Sequence, residues 1–300
     1  MPAGIGGDGG GSIRIPSACC GLFGLKPQRG RVTTSPEPHL WLALGTVGPL
    51  TRSVRDSALI YDVIRGNLET DRFKAGDADS FVAAADREPG RLRIGWTTKP
   101  VTLGVRPDPV HVQAVHDTAD LLRALGHDVR EVDPHYPDPT VAFVPQFFGG
   151  IRHEALNVVE HYDRLERRTR ETCRLGSWVT PRVVDAALKA TEKVSVKANR
   201  VFDDIDVLLT PAIAHRPPKV GRLMGTGTVR ASLRAMPAIA YAALWNVAGN
   251  PAASVPRGIA DDGLPVAVQI VGRTDDEPTL FSLAAQLESA SAWPLVAPRA

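Results

Sequence analysis

The segment Gly6-Gly7-Asp8-Gly9-Gly10-Gly11-Ser12-Ile13-Arg14-Ile15-Pro16 is the part of the chain best suited to chemistry. Consecutive glycines before a serine give the backbone φ values that other residues resist. Successive N–H groups can then converge on one small space and form a nest for negative charge. A serine at the end of such a nest suits acyl transfer. Its Oγ attacks a carbonyl carbon, and the adjacent N–H groups hold the oxyanion. Each donor of that kind is worth about 3–4 kcal/mol in the transition state. The same residues also suit a tight glycine turn that holds a hydrogen-bonded serine, and glycine content alone does not separate the two readings.

Competing motifs fail on context. Gly4, Gly6 and Gly9 have the spacing of a dinucleotide fingerprint, but that fingerprint follows a strand and only three residues precede it here. The Gly-Lys-Ser/Thr of a P-loop is absent. The G-x-S-x-G elbow is not met, because Ser12 is followed by Ile13 and Arg14. A serine nucleophile needs a base. His39, His111, His116, His127, His135, His153, His161 and His215 lie on predicted helix faces or in loops, in no setting that marks a partner. Cys19, Cys20 and Cys173 form neither a disulfide framework nor a zinc spacing, and Cys20 reads as a small buried side chain. No metal and no cofactor are expected.

The elements that must position this loop alternate between strand and helix. Residues 1–35 read as buried turns and short strands. The spacing of Val54, Ala58, Tyr61 and Ile64 predicts a helix over 52–65, capped by Thr51 and stopped by Gly66. Residues 67–90 read as a surface loop. Leu92–Trp96 and Val129–Val132 read as strands around a helix that starts at Asp108-Pro109 and ends at Gly126, a parallel crossover. Residues 133–145 read as a Pro-rich loop and 151–172 as a charged helical stretch. Thr180-Pro181 opens a helix that the pattern carries to Ile205. Asp206–Pro211 and Val266–Val271 read as buried strands, 214–230 as a loop, and Leu280, Leu283, Ala284 and Leu287 mark a last helix. The fold class is α/β.

Composition narrows the function. The 300 residues hold 35 Lys+Arg against 33 Asp+Glu, a net charge of +2 that argues against a nucleic-acid partner. With 43% hydrophobic residues the chain is neither disordered nor fibrous. The longest apolar stretch, Ala235–Trp245, holds Pro237 and is too short to span a bilayer, so no membrane partner is expected. No signal peptide is legible, and a reducing cytoplasm is the expected compartment. The abrupt opening on a glycine-rich segment is unusual, because termini are commonly polar and frayed.

These residues resemble a known family. Asp8-x-Gly-Gly-Ser12-Ile-Arg14-Ile-Pro16 and Cys20-Gly-Leu-Phe-Gly-Leu-Lys26-Pro27-x-x-Gly30-Arg-Val are similar to the signature of the amidase-signature hydrolases. So are Gly48-Pro49-Leu-Thr-Arg52-Ser-Val-Arg55-Asp56, Asp206–Pro211, Asn246-x-x-Gly249-x-Pro251-Ala-x-Ser254-Val-Pro256 and Gly263-Leu-Pro265-Val-x-Val-Gln269-Ile-Val-Gly272, in family order. The resemblance implies one large α/β domain with a mixed sheet covered by helices, over 1–300, with the nucleophile loop at 4–35. It implies hydrolysis of a carboxylic amide to acid plus ammonia or amine, without metal or cofactor. Ser12 matches the nucleophile, Gly9, Gly10 and Gly11 the oxyanion hole, and Asp8 and Arg14 the positions that brace the loop. The family's bridging serine and its lysine lie upstream of the nucleophile, and only eleven residues precede Ser12. No two serines are adjacent in the chain. The expectation is therefore an N-terminally truncated domain that lacks two catalytic groups and is inactive alone. A non-catalytic remnant is one alternative. A glutamine-dependent amidotransferase A-type subunit is another, disfavoured because Ile15 stands where that class carries Gln. The implied partner is a small-molecule amide, with a homodimer left open. Phe147, Phe148 and Trp245 are candidates for lining a pocket.

Overall fold

The computed structural model describes residues 3–37, 39–291 and 293–294. In chain order it holds β1 (Ala3–Asp8), α1 (Arg14–Cys20), β2 (Phe23–Lys26), β3 (Thr46–Thr51), α2 (Val54–Ile64), α3 (Phe81–Ala85), β4 (Arg93–Trp96), α4 (Pro109–Ala124) and β5 (Asp128–Glu131). There follow α5 (Thr140–Asn157), α6 (Arg167–Leu175), α7 (Pro181–Asn199), β6 (Val207–Pro211), α8 (Thr228–Ile239), α9 (Ala243–Ala248), β7 (Ala252–Ile259), β8 (Pro265–Gly272) and α10 (Glu277–Ala290). The strands form one mixed sheet in the order β1-β3-β2-β7-β8-β6-β4-β5. Only β6, β4 and β5 pair in parallel, and the other neighbours are antiparallel. The β4-α4-β5 crossover matches its sequence pattern.

Side chains alternate across a strand, and the sheet uses both faces. Val207 and Leu209 join Ile94, Val268 and Ile270 in a core under α2, α3, α4 and α10, where Tyr61, Phe81 and Phe281 cluster. Leu208 and Val271 point the other way, into a core with Leu244, Trp245 and Phe202. Gln269, two residues before Val271, lies on that second face, the side on which α1 and α9 sit.

Several elements differ from the sequence reading, each for a physical reason. Residues 14–20 form a helix, because Pro16 falls in the first turn, where a missing N–H costs nothing. The cap of α2 is Ser53, whose hydroxyl accepts the Asp56 N–H at 3.1 Å, while the Thr51 hydroxyl donates to the Ser53 carbonyl. The stretch 67–90 holds α3, and Asp71 is buried, tied to Thr33 and to the Leu68 N–H. Helix α5 begins inside the Pro-rich stretch and carries Pro145 within it. Helix α7 ends at Asn199, before Ile205. Cys20 is exposed, whereas Cys173 is the buried cysteine. The opening residues Met1 and Pro2 lie outside the described residues. No helix of the described residues is long and apolar enough to cross a membrane.

His111 in α4 is fully buried, and neither ring nitrogen has a hydrogen-bond partner among the described residues. Burial first, then the nearby Arg216 charge, pushes its pKa below the ordinary value. The Asp108 charge and the His215 backbone act to raise it and are outweighed. The unfolded chain therefore binds the proton that the folded chain refuses. The contribution is full above the unfolded pKa of about 6.5 and is lost as pH falls below it. Denaturant melts between pH 7 and 5 are expected to lose stability with a slope of up to about 1.4 kcal/mol per pH unit from this group. His111→Leu is expected to flatten that slope.

Candidate active site

β1 ends at Asp8, residues 9–11 form the loop, and α1 begins at Arg14, so the glycines bridge a strand and a helix. Asp8 is fully buried inside the turn. Its carboxylate accepts the N–H groups of Gly11 at 2.7 Å, Ile13 at 3.2 Å and Arg14 at 3.4 Å. It also accepts Arg14 Nε and Nη2, each at 3.0 Å, and Asn246 Nδ2 at 2.8 Å. Burial alone would raise the Asp8 pKa. The Arg14 charge, with hydrogen bonds from Arg14 and Asn246, outweighs it and holds the carboxyl well below the usual carboxylate range.

Arg14 is equally enclosed. Its remaining donors reach Ala242 O at 3.1 Å, Gln269 Oε1 at 2.8 Å and Asn246 Oδ1 at 2.6 Å. A guanidinium has five N–H donors, and each of them has an acceptor here. Gln269 in turn donates to Thr210 Oγ1 at 3.2 Å and Tyr241 O at 2.9 Å. The β6–β8 register sets Thr210 opposite Gln269, and the β1–β3 register sets Asp8 opposite Thr46. Asn246 and Gln269 thus complete the bracing that Asp8 and Arg14 begin. Both stand inside the motif blocks, and the signal that could have assigned them is their type: two amides that can each serve donor and acceptor beside a buried ion pair.

The glycines are closely covered. A Cβ on Gly9 would lie 2.5 Å from Trp41 Cε3, and one on Gly10 would lie 3.2 Å from Phe143. Gly11 has φ +120°, and a Cβ there would lie 2.6 Å from Ile15 Cδ1 and 2.9 Å from the Ala242 methyl. Trp41, Leu42 and Ala43 all have positive φ, an uncommon run for non-glycine residues. Glu154 holds that turn by accepting Trp41 Nε1 at 2.7 Å, and Trp41 meets Phe147 edge-on at 5.7 Å between ring centroids. Phe143 stacks on Phe147 at 5.6 Å. The cover is therefore Trp41, Phe143 and Phe147. Phe148 packs behind Phe147, and Trp245 is a buried core residue that lines no open pocket.

Ser12 is exposed at the end of this rigid loop. Among the described residues no hydrogen bond engages the N–H of Gly9, Gly10 or Ser12, while the Gly11 N–H is taken by Asp8. The Gly11 amide, expected to be an oxyanion donor, is engaged here by the Asp8 carboxylate at 2.7 Å. Among the described residues no base contacts the Ser12 hydroxyl. The Lys26 amine is fully buried and donates to Pro27 O at 2.6 Å, and burial first, with the neighbouring Arg14, pushes its pKa well below the ordinary value. Cys19, half-buried at the end of α1, has its thiol pushed up to about 11, mainly by burial. Among the described residues no group of His, Cys, Asp or Glu could hold a metal ion.

The Amidase family profile matches residues 1–281. The putative amidase AmiB2 of Mycobacterium tuberculosis is 47% identical over 295 residues, which is 97% of this chain and 62% of that protein. The 6-aminohexanoate-cyclic-dimer hydrolase of Paenarthrobacter ureafaciens is 32% identical over 314 residues, 97% of this chain and 64% of that one. Among solved structures, a 6-aminohexanoate cyclic dimer hydrolase complexed with substrate superposes with a TM-score of 0.86 at 29% identity, covering 98% of this chain and 65% of that one. A bacterial aryl acylamidase of the amidase signature enzymes gives 0.80 at 25% identity, covering 98% and 63%. The chain thus spans under two thirds of the length of these relatives. A profile match over nearly all of its residues, the shared mixed sheet and the braced glycine–serine loop establish that the chain belongs to the amidase signature family.

Proposed function

We propose that the protein hydrolyses carboxylic amides, with Ser12 as the acyl-accepting nucleophile. The observation that carries this reading is an exposed serine beside three unengaged backbone amides, on a loop anchored by the Asp8–Arg14–Asn246–Gln269 network. In the first step the Ser12 Oγ–C bond forms, the C–N bond breaks, and the serine proton leaves with the amine. Water then releases the acid. The amides of Gly9, Gly10 and Ser12 are the donors free to hold the oxyanion, and the Trp41–Phe143–Phe147 wall suits an apolar acyl group. Two relatives act on amides by name, the cyclic-dimer hydrolase and the aryl acylamidase.

Because no described base contacts Ser12, the 300 residues alone are expected to turn over amides slowly. An oxyanion hole without the rest of the machinery leaves roughly 10³-fold over water, and a serine without a proton acceptor is a weak nucleophile. An activated ester such as p-nitrophenyl acetate needs no protonated leaving group. Intact-mass measurement after incubation is expected to find one acetyl group, mapped to Ser12 and absent in Ser12→Ala. Acetylation that persists in Ser12→Ala, or none in the parent chain, would refute the assignment.

A further inference from the structure

We propose that the segment 215–234, together with the neighbouring loop that carries Leu103 and Arg106, is a docking surface for a lipid membrane with anionic headgroups. The sequence holds no Asp or Glu from Val207 to Ala260, a run that includes Arg216, Lys219, Arg222, Arg230 and Arg234. Arg216 is neutralised by Asp262, across 2.6 Å. Among the described residues no acid pairs with Lys219, Arg222, Arg230 or Arg234.

Apolar side chains stand among these cations. Val220 is fully exposed, Leu103 is 95% exposed, Met224 80% and Leu233 65%. Val229 and Leu233 are four residues apart on α8, so they share a face. The parts are physically joined. Arg234 Nη1 donates to Arg222 O at 2.9 Å, and His215 Nε2 meets Arg106 O at 3.1 Å. A groove of about 640 Å³ runs along the segment, lined by His215, Arg216, Lys219, Arg222 and Val220 and by one carboxylate, Asp108, which accepts the Arg216 backbone N–H at 2.9 Å.

Exposed aliphatic side chains among unpaired cations match an interface that is apolar below and anionic above. A lipid phosphate fits the basic groove while Val220, Met224 and Leu103 enter the acyl boundary. The patch holds no aromatic side chain for base stacking, which disfavours single-stranded nucleic acid. An acidic protein would match the charge but would leave the aliphatic tips without a partner. The whole-chain charge and the lack of a spanning segment, on which the sequence expectation of no membrane partner rests, do not measure a local patch of this kind.

The test is co-sedimentation of the purified chain with vesicles of phosphatidylcholine alone and of phosphatidylcholine with phosphatidylserine at a 7:3 ratio. Partition is expected to be at least about tenfold stronger on the anionic vesicles and to fall in high salt. The double variant Lys219→Glu with Arg222→Glu is expected to lose about tenfold or more. Val220→Ser with Met224→Ser is expected to lose several-fold with unchanged far-UV circular dichroism. Equal partition on both vesicles, or partition unaltered by both variants, would overturn the proposal. Retention on polyglutamate without vesicle binding would overturn it in favour of an acidic protein partner. Concentration-dependent dimerisation abolished by the same variants, without vesicle binding, would overturn it in favour of a second copy.

Discussion

Arg14→Met is expected to lower folding stability by about 3–5 kcal/mol, the cost of removing one partner of a buried ion pair. Both members are fully buried, and the carboxylate that remains has no water to turn to. The methionine also strands the side-chain oxygens of Gln269 and Asn246, each of which accepts from Arg14. Urea melts check the size of the loss. Arg55→Met removes the exposed Arg55–Asp86 pair and serves as the control, with stability nearly unchanged. The pH dependence gives a second reading. In the parent chain the Asp8 pKa is depressed. Its contribution is therefore full above the unfolded value of about 3.9 and is lost as pH falls through the lower folded value. Without Arg14, burial prevails and raises the folded pKa. The penalty is then present above that raised value and is relieved as the pH falls through it. Acidification toward pH 4 is expected to narrow the gap between variant and parent. A gap that widens there would contradict the buried-charge account.

Gly11→Ala is expected to cost about 2–6 kcal/mol, from roughly 1–3 for a side chain in an unfavourable backbone region and 1–3 for overpacking. The methyl would meet Ile15 Cδ1 at 2.6 Å and the Ala242 methyl at 2.9 Å, and the second of these cannot rotate away. Gly258→Ala separates the two contributions, because Gly258 has φ +117° and open space where its Cβ would stand. It is expected to show the backbone cost alone. The difference between the two variants in urea melts measures the packing of the loop. Gly11→Ala is also expected to abolish acetylation of Ser12 under conditions where the variant is folded, since the displaced turn moves the free amides of Gly9 and Gly10. Equal costs for the two variants would mean that the loop relaxes freely and that its geometry is not fixed by Ala242 and Ile15.

The sequence by itself determined the elements whose information is local. The β4-α4-β5 unit, strands β6 and β8 and helices α7 and α10 are legible from apolar spacing within about 20 residues, although α7 ends at Asn199 and not at Ile205, and the serine after a glycine run follows from backbone freedom. Pattern reading failed where a partner distant in sequence decides. Asp71 is polar yet buried, because Thr33 and the Leu68 amide receive it.

Only the tertiary structure decided how the motif blocks act together. Arg14 and Gln269 are 255 residues apart, and Arg14 and Asn246 are 232 apart. They meet because the ladder sets β8 beside β6 and because α9 lies over the end of β1. Spacing along the chain carries no record of either. The same holds for the Gly11 amide, which composition offers to a substrate and the fold gives to Asp8. It holds too for the Trp41 wall, whose left-handed turn depends on Glu154, far along the chain. Local periodicity fixes which face of an element is buried. Which residues share that burial is set by strand order and register, which are properties of the folded chain as a whole.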